Sequence, residues 1–307
     1  MGAAENRLAV PGPPAPPSPP GEPVEGDTSR SPDTDWIWWT APLALVAGIV
    51  LASVAALVID IPAAAFGVNV TEHTPGGLVI ADTFVQDVAF VVAAVYCAKL
   101  GHKAVRSWQF GLRPPGQGWV HAGLMVLALI IAFIALDALW GEILHPTKEK
   151  LLETLGTKES KSLLVLSAAL TCVIAPIAEE MLFRGYMFTA MRNWRGTLPA
   201  ALVVGLLFGA VHATSAPAAD LVPLGALGFG LCLLYRYSGS LYPGIGAHAL
   251  NNSIAFASLE GWNVGQGALL IVCAIAGLWL VAMAFKRVGL ITPAAEVPRL
   301  GRVGSQR

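Results

Sequence analysis

Charge is what this sequence has least of. Only 13% of its 307 residues are Asp, Glu, Lys or Arg, against about a quarter in a soluble domain. The net charge of -1 and the lack of an extended basic stripe exclude a polyanion-binding surface, so no nucleic-acid partner is expected. Cysteine is scarce too. Cys97, Cys172, Cys232 and Cys273 each fall in an apolar stretch and none forms a C-x-x-C pair. That excludes a disulfide framework and a thiolate zinc site, and leaves them as small buried hydrophobes. The chain does not open on a basic start, a short apolar core and a small-residue cleavage site, so its first residues are not read as a signal peptide. No internal repeat is evident, which counts against a transporter built from repeated halves.

What the chain has instead is apolar length. Hydrophobic residues make up 55% of it and the mean hydropathy is +0.64. A bilayer core about 30 Å thick takes roughly 20 apolar residues per helix. By that rule the sequence holds about eight spans, near 37–59, 83–100, 119–143, 162–191, 198–214, 221–235, 241–259 and 266–285. The expected fold is all-α, a polytopic transmembrane helix bundle behind a disordered Pro-rich tail. The tail, 1–35, is too poor in apolar surface to offset its ordering entropy. Residues 36–161 supply the first helices and loops, 162–260 a polar-bearing helix core, and 261–307 the last helix and a basic tail. Trp36, Trp38 and Trp39 suit the headgroup belt at the first span's entry. Lys and Arg recur in every second loop, which places both termini in the cytoplasm, in the manner of a bacterial cytoplasmic-membrane protein. The Lys148–Lys161 stretch breaks this alternation, and is expected to be an amphipathic helix on the surface.

Ionisable groups inside a span are functional hypotheses by default. The fourth span reads APIAEEMLFRGYMF. Glu180 and Arg184 are four apart, so they share a face and can pair. Glu179 is rotated by about 100° from that face. Pro176 can kink the helix and free a carbonyl. The fifth span places His212 one turn after Phe208, and the seventh places His248 and Asn252 four apart. Three apolar helices therefore bring a carboxylate, two imidazoles and an amide to one bundle. A carboxylate and a His can polarise a water as general base, and a second His with an Asn amide can donate to a tetrahedral oxyanion. Glu179, His212 and His248 would equally make the His/His/carboxylate set of a catalytic zinc. Asp87 and Asp137, in the second and third spans, read as hydrogen-bonding groups within the bundle. Depth is a difficulty. At about 1.5 Å per residue, Glu179, His212 and His248 lie about 18, 22 and 10 Å from the cytoplasmic ends. Tilt, a kink at Pro176, or breaks at Gly205 and Gly209 must bring them level.

E-E-x-x-x-R at Glu179, Glu180 and Arg184, F-x-x-x-H at Phe208 and His212, and H-x-x-x-N at His248 and Asn252 occur in order, each in its own span. Together they resemble the signatures of the CPBP family, which joins type II CAAX prenyl endopeptidases with bacteriocin-processing and immunity proteins. The resemblance covers about 163–259. It implies an intramembrane endopeptidase in which Glu179 and His212 activate water, His248 and Asn252 stabilise the oxyanion, and Glu180, Arg184 and Phe208 support the site. It implies a glutamate-type mechanism without a cofactor, zinc being the alternative. The expected partners are the lipid bilayer and a membrane-associated, lipidated or hydrophobic protein or peptide terminus. The rivals are a non-catalytic immunity or scaffold partner, and a transporter relaying protons through Glu179 and His212.

Overall fold

In hydrocarbon every backbone N–H and C=O must be satisfied within its own segment, so runs of Ala, Leu, Val and Ile fold as helices. The computed structural model describes residues 34–70, 74–100, 102, 104–144 and 154–297, and the regular elements among them are all helical. They are α1 (Thr40–Ala65), α2 (Gly76–Ala98), α3 (Trp119–Leu144), α4 (Lys161–Arg195), α5 (Thr197–Val211), α6 (Leu221–Ser238), α7 (Leu241–Leu259) and α8 (Val264–Arg287). Seven helices are long and apolar enough to cross a membrane; α5 and α6 count among them together with the short 3₁₀ turns beside them. The remaining helix, α7, has 19 residues and carries His248, Asn251 and Asn252, which dilute its hydropathy. The tail through residue 33 and the residues 145–153 lie outside the described part. Of the stretch expected to be an amphipathic helix, residues 154–161 are described, and 155–159 form turns.

Helix α4 is the axis of the bundle. Every residue from Met181 to Ala190 is buried. It is not one regular helix. Two π-helical segments, Leu170–Ile174 and Met181–Phe188, bracket an α-helical turn, Ala175–Glu180. Around it, α1 pairs with α2 and α5 with α6, and α7 packs on α8, α3 and α6. The α5–α6 pair is held close by small residues, as at other helix contacts in membranes. A Cβ on Gly209 would stand 2.4 Å from the Leu221 carbonyl oxygen, and one on Gly205 would stand 2.7 Å from the Phe229 nitrogen. These glycines are therefore points of approach and not breaks, since α5 runs unbroken through both.

Two expectations are corrected. Trp36 does not sit in the headgroup belt. It is buried, with its ring 5.0 Å from Phe110 and 5.1 Å from Tyr186, because the chain before α1 folds over the end of α4. Trp38 and Trp39 are exposed, and Trp38 stacks on Trp194. Cys273 is exposed on α8, unlike the other three cysteines; α8 is an outer helix and presents apolar side chains to lipid.

Candidate active site

Glu179 and Glu180 end the α-helical turn of α4, and adjacent helical positions point about 100° apart. Glu180 turns into the bundle. Its Oε1 accepts from Arg184 Nη1 at 2.7 Å and from His248 Nδ1 at 3.1 Å. Glu180 and Arg184 side chains are both 0% exposed. The Arg184 guanidinium also donates from Nη2 to the Gly228 carbonyl at 3.1 Å and lies 4.3 Å from the Phe208 ring centre. A buried ion pair needs further partners for its remaining polar atoms; the α6 carbonyl and the ring face supply part of them, while Glu180 Oε2 and Arg184 Nε have none among the described residues. Close approach of α7 is part of the arrangement. A Cβ on Gly244 would stand 2.9 Å from Glu180 Oε2.

Glu179 faces the other side of the same imidazole. Its Oε2 lies 3.8 Å from His248 Nε2, and its side chain is 13% exposed. His248 therefore stands between the two carboxylates. Glu180 is an acceptor only, so Nδ1 carries the proton and Nε2 is the nitrogen left to face Glu179. Spacing on α4 alone makes the Glu180–Arg184 pair legible. The His248–Glu180 contact joins residues 68 positions apart, and no one-dimensional signal carries it.

His212 closes α5 just before a 3₁₀ turn, His212–Thr214. Its Nδ1 lies 2.7 Å from the Phe208 carbonyl. A carbonyl can only accept, so Nδ1 is the N–H and Nε2 is left with a lone pair. Phe208 touches both imidazoles, with ring centres 4.9 Å from His212 and 5.5 Å from His248. The F-x-x-x-H spacing thus gives His212 its backbone acceptor and the site a shared wall.

Asn252 donates from Nδ2 to the Thr171 carbonyl at 2.9 Å. The reason lies in α4. In its first π segment Ala175 N–H bonds Leu170 O, five residues back. The next donor in that register would be residue 176, which is proline and has no N–H. Thr171 is the carbonyl so released, and Asn252 ties it to α7. One N–H of the Asn252 amide is committed to this bond and one remains. Pro176 does free a carbonyl, as expected, but through a π register that the sequence did not announce.

Asp87 departs from its expected part. It is 1% exposed, and neither carboxyl oxygen has a hydrogen-bond partner among the described residues. Asp137 likewise has no hydrogen-bond partner among the described residues. It is exposed on α3, near enough to Asp220 for the two charges to interact. Among the described residues no three of His, Cys, Asp and Glu are gathered for a metal. Glu179, His212 and His248 as arranged do not form a zinc-ligand set.

No curated protein and no solved structure matches the chain. One stretch does match a known family, and it holds every residue of the three signatures. With its apolar helices the chain is an integral membrane protein, and its residues 161–254 match the family model described as type II CAAX prenyl endopeptidase Rce1-like, the family that the three signatures resemble.

Proposed function

We propose that the chain is an intramembrane endopeptidase that hydrolyses a peptide bond near the terminus of a membrane-associated, lipidated or hydrophobic protein or peptide. The observation that carries the reading is His248 held between Glu179 and Glu180, its Nδ1 fixed by Glu180 and its Nε2 turned to Glu179. The family match adds protease activity in general. An apolar cavity of about 340 Å³ is lined by Ile177 and Met181 of α4, Tyr242 and Ile245 of α7, and Leu278 of α8, with no site residue in its wall. It suits a lipidated or hydrophobic chain.

The chemistry follows from the free atoms. Glu179, with the His212 Nε2 lone pair, takes a proton from water as the hydroxide adds to the scissile carbonyl. The oxyanion accepts from His248 Nε2–H and from the uncommitted N–H of Asn252. Because Nδ1 is given to Glu180, His248 serves as that donor only when both its nitrogens carry protons. Glu179 then returns its proton to the leaving amine, and acid and amine part. Glu180 and Arg184 hold His248 and do not touch substrate. The alternation of basic loops supports cytoplasmic termini.

Purified protein in detergent, offered a quenched fluorescent peptide bearing a farnesylated cysteine near its C terminus and the same peptide without the lipid, tests this. Wild type should cleave at least one, and Glu179→Gln neither, since an amide cannot accept the proton. Chelator dialysis should leave the rate unchanged; a stoichiometric zinc whose removal and return switches activity would replace the water-activation scheme. If Glu179→Gln keeps full activity, or full function in cells, the peptidase reading falls and a membrane partner carrying the signature takes its place.

A further inference from the structure

Among the described residues, Asp87 and Glu180 are the buried acids, and Asp87 of α2 has no part in the proposed chemistry. It is 1% exposed and both of its oxygens lack a partner. A carboxylate in that condition is among the costliest groups to bury, and a neutral carboxylic acid far less so. A neutral acid in turn carries an O–H that needs an acceptor. Two acceptors without a partner stand on the turn of α4 that α2 packs against, Glu179 Oε2 and Glu180 Oε2. Glu180 already takes Arg184 and His248 on its other oxygen, and Glu179 is the carboxylate within electrostatic reach of Asp87.

The surroundings decide which of the two carboxyls holds a proton. Glu179 has the His248 imidazole at 3.8 Å and some access to water. Asp87 has neither. The other charged groups on elements packed against α2 are Glu180, Arg184 and Lys161 on α4, with Arg192 and Arg195 in its last turn, and Asp60 on α1. Glu180 and Arg184 are paired with one another, Lys161 lies at the far start of α4, and Asp60 acts on Asp82 of α2. Two carboxyl groups in one apolar site cannot both ionise cheaply, and where their environments differ they divide into an acid and a base.

We propose that Asp87 is a positioning residue for Glu179: its protonated carboxyl donates a hydrogen bond to the Glu179 carboxylate, directly or through one water, and keeps that base ionised and turned toward His248. This rests on Glu179 as the base. Asp87 does not touch substrate. It acts by holding Glu179 in the form that can accept a proton from water.

Infrared spectra of the detergent-purified full chain at neutral pH test the protonation without any substrate. Wild type should show the carbonyl stretch of a protonated carboxylic acid, and Asp87→Asn should lack it. Absence of that band from the wild-type minus variant difference overturns the proposal. The kcat/KM–pH profile on the farnesylated peptide tests the consequence. Asp87→Asn keeps a donor and should stay within about threefold of wild type, whereas Asp87→Leu removes one charge-assisted hydrogen bond, worth about tenfold to a hundredfold in rate at neutral pH. In the Leu variant the acid limb should also move to higher pH with KM unchanged. If Asn and Leu variants lose activity equally with unshifted profiles, Asp87 is only structural and the proposal fails. If the Leu variant does not fold, the spectrum of the Asn variant decides alone. Glu179→Gln, run alongside, separates the two readings. An inactive Gln variant beside indifferent Asp87 variants refutes only this inference, and an active one refutes the base itself.

Discussion

Replacing Arg184 with Met should unfold the bundle more readily than any other single change at the site, and the loss should be largely reversed by a second change. Arg184 is fully buried, bonds Glu180 at 2.7 Å and Gly228 at 3.1 Å, and lies 4.3 Å from the Phe208 ring centre. Met fills much of its volume but leaves the Glu180 carboxylate with only the His248 N–H. Removing one partner of a buried pair costs about 3–5 kcal/mol, roughly a hundredfold to several-thousandfold in the unfolding equilibrium. In Glu180→Gln/Arg184→Met no charge is stranded, and the Gln carbonyl still accepts from His248 Nδ1. The double variant should recover at least about 2 kcal/mol, a coupling expected of contacting residues. Equilibrium unfolding of purified protein in mixed dodecyl sulfate micelles, followed by far-ultraviolet circular dichroism across the four members of the cycle, measures it. Additive single costs would show that the two side chains do not depend on each other, and the account of Glu180 as an ionised anchor for His248 would be wrong.

Three further outcomes can be checked. Gly209→Ala should destabilise the bundle by about 1–3 kcal/mol in the same titration, because its Cβ would meet the Leu221 carbonyl at 2.4 Å and backbone cannot step aside; an unchanged midpoint would refute the close α5–α6 contact. Asn252→Ala should keep measurable cleavage yet cost about 1–3 kcal/mol of stability by leaving the Thr171 carbonyl unpaired, so full stability would show that the amide is not needed there. Single cysteines at Val68 and Gln117 should react with impermeant thiol reagents from opposite sides of the membrane, and reaction of both from one side would overturn the proposed topology.

The sequence carried the helices well because lipid leaves so few alternatives: all eight stretches are helical and seven are long and apolar enough to cross a membrane, though α1 runs on to Ala65 and α2 begins at Gly76. It carried the Glu180–Arg184 pair because both lie on one helix face. What it could not carry depends on phase and on depth. The depth mismatch among Glu179, His212 and His248 is legible, and tilt, a kink at Pro176 or breaks at Gly205 and Gly209 are the remedies it suggests; the two glycines instead let α6 come near. The irregular turns lie in α4, where nothing in LTCVI or MLFRGYMF marks a π register. Asp87 was visible as a charge in a span. Its isolation was not, because lack of a partner is a property of the packed bundle. Trp36 carried an interfacial signal that the fold does not use, since burial against Phe110 and Tyr186 needs the chain to turn back over α4.

The two wide turns of α4 have a consequence for how the segment tolerates change in length. Each residue advances an α-helix by about 100°, and a π turn absorbs one residue more than an α turn. Deleting one residue between Leu170 and Ile174 would let that turn tighten into ordinary α-helix without breaking α4. The Ala175 N–H would still meet the Leu170 carbonyl, now four residues back instead of five, so Glu179, Glu180 and Arg184 would keep the directions in which they point. Losing Ile177 or Ala178 from the α-helical turn that follows is different, because that turn holds no surplus residue. The helix beyond would then turn by about 100°, every letter of E-E-x-x-x-R would survive, and the wrong carboxylate would face His248. The wide turn is therefore a place where α4 can lose a residue at no cost to the signature, and the narrow turn beside it is not.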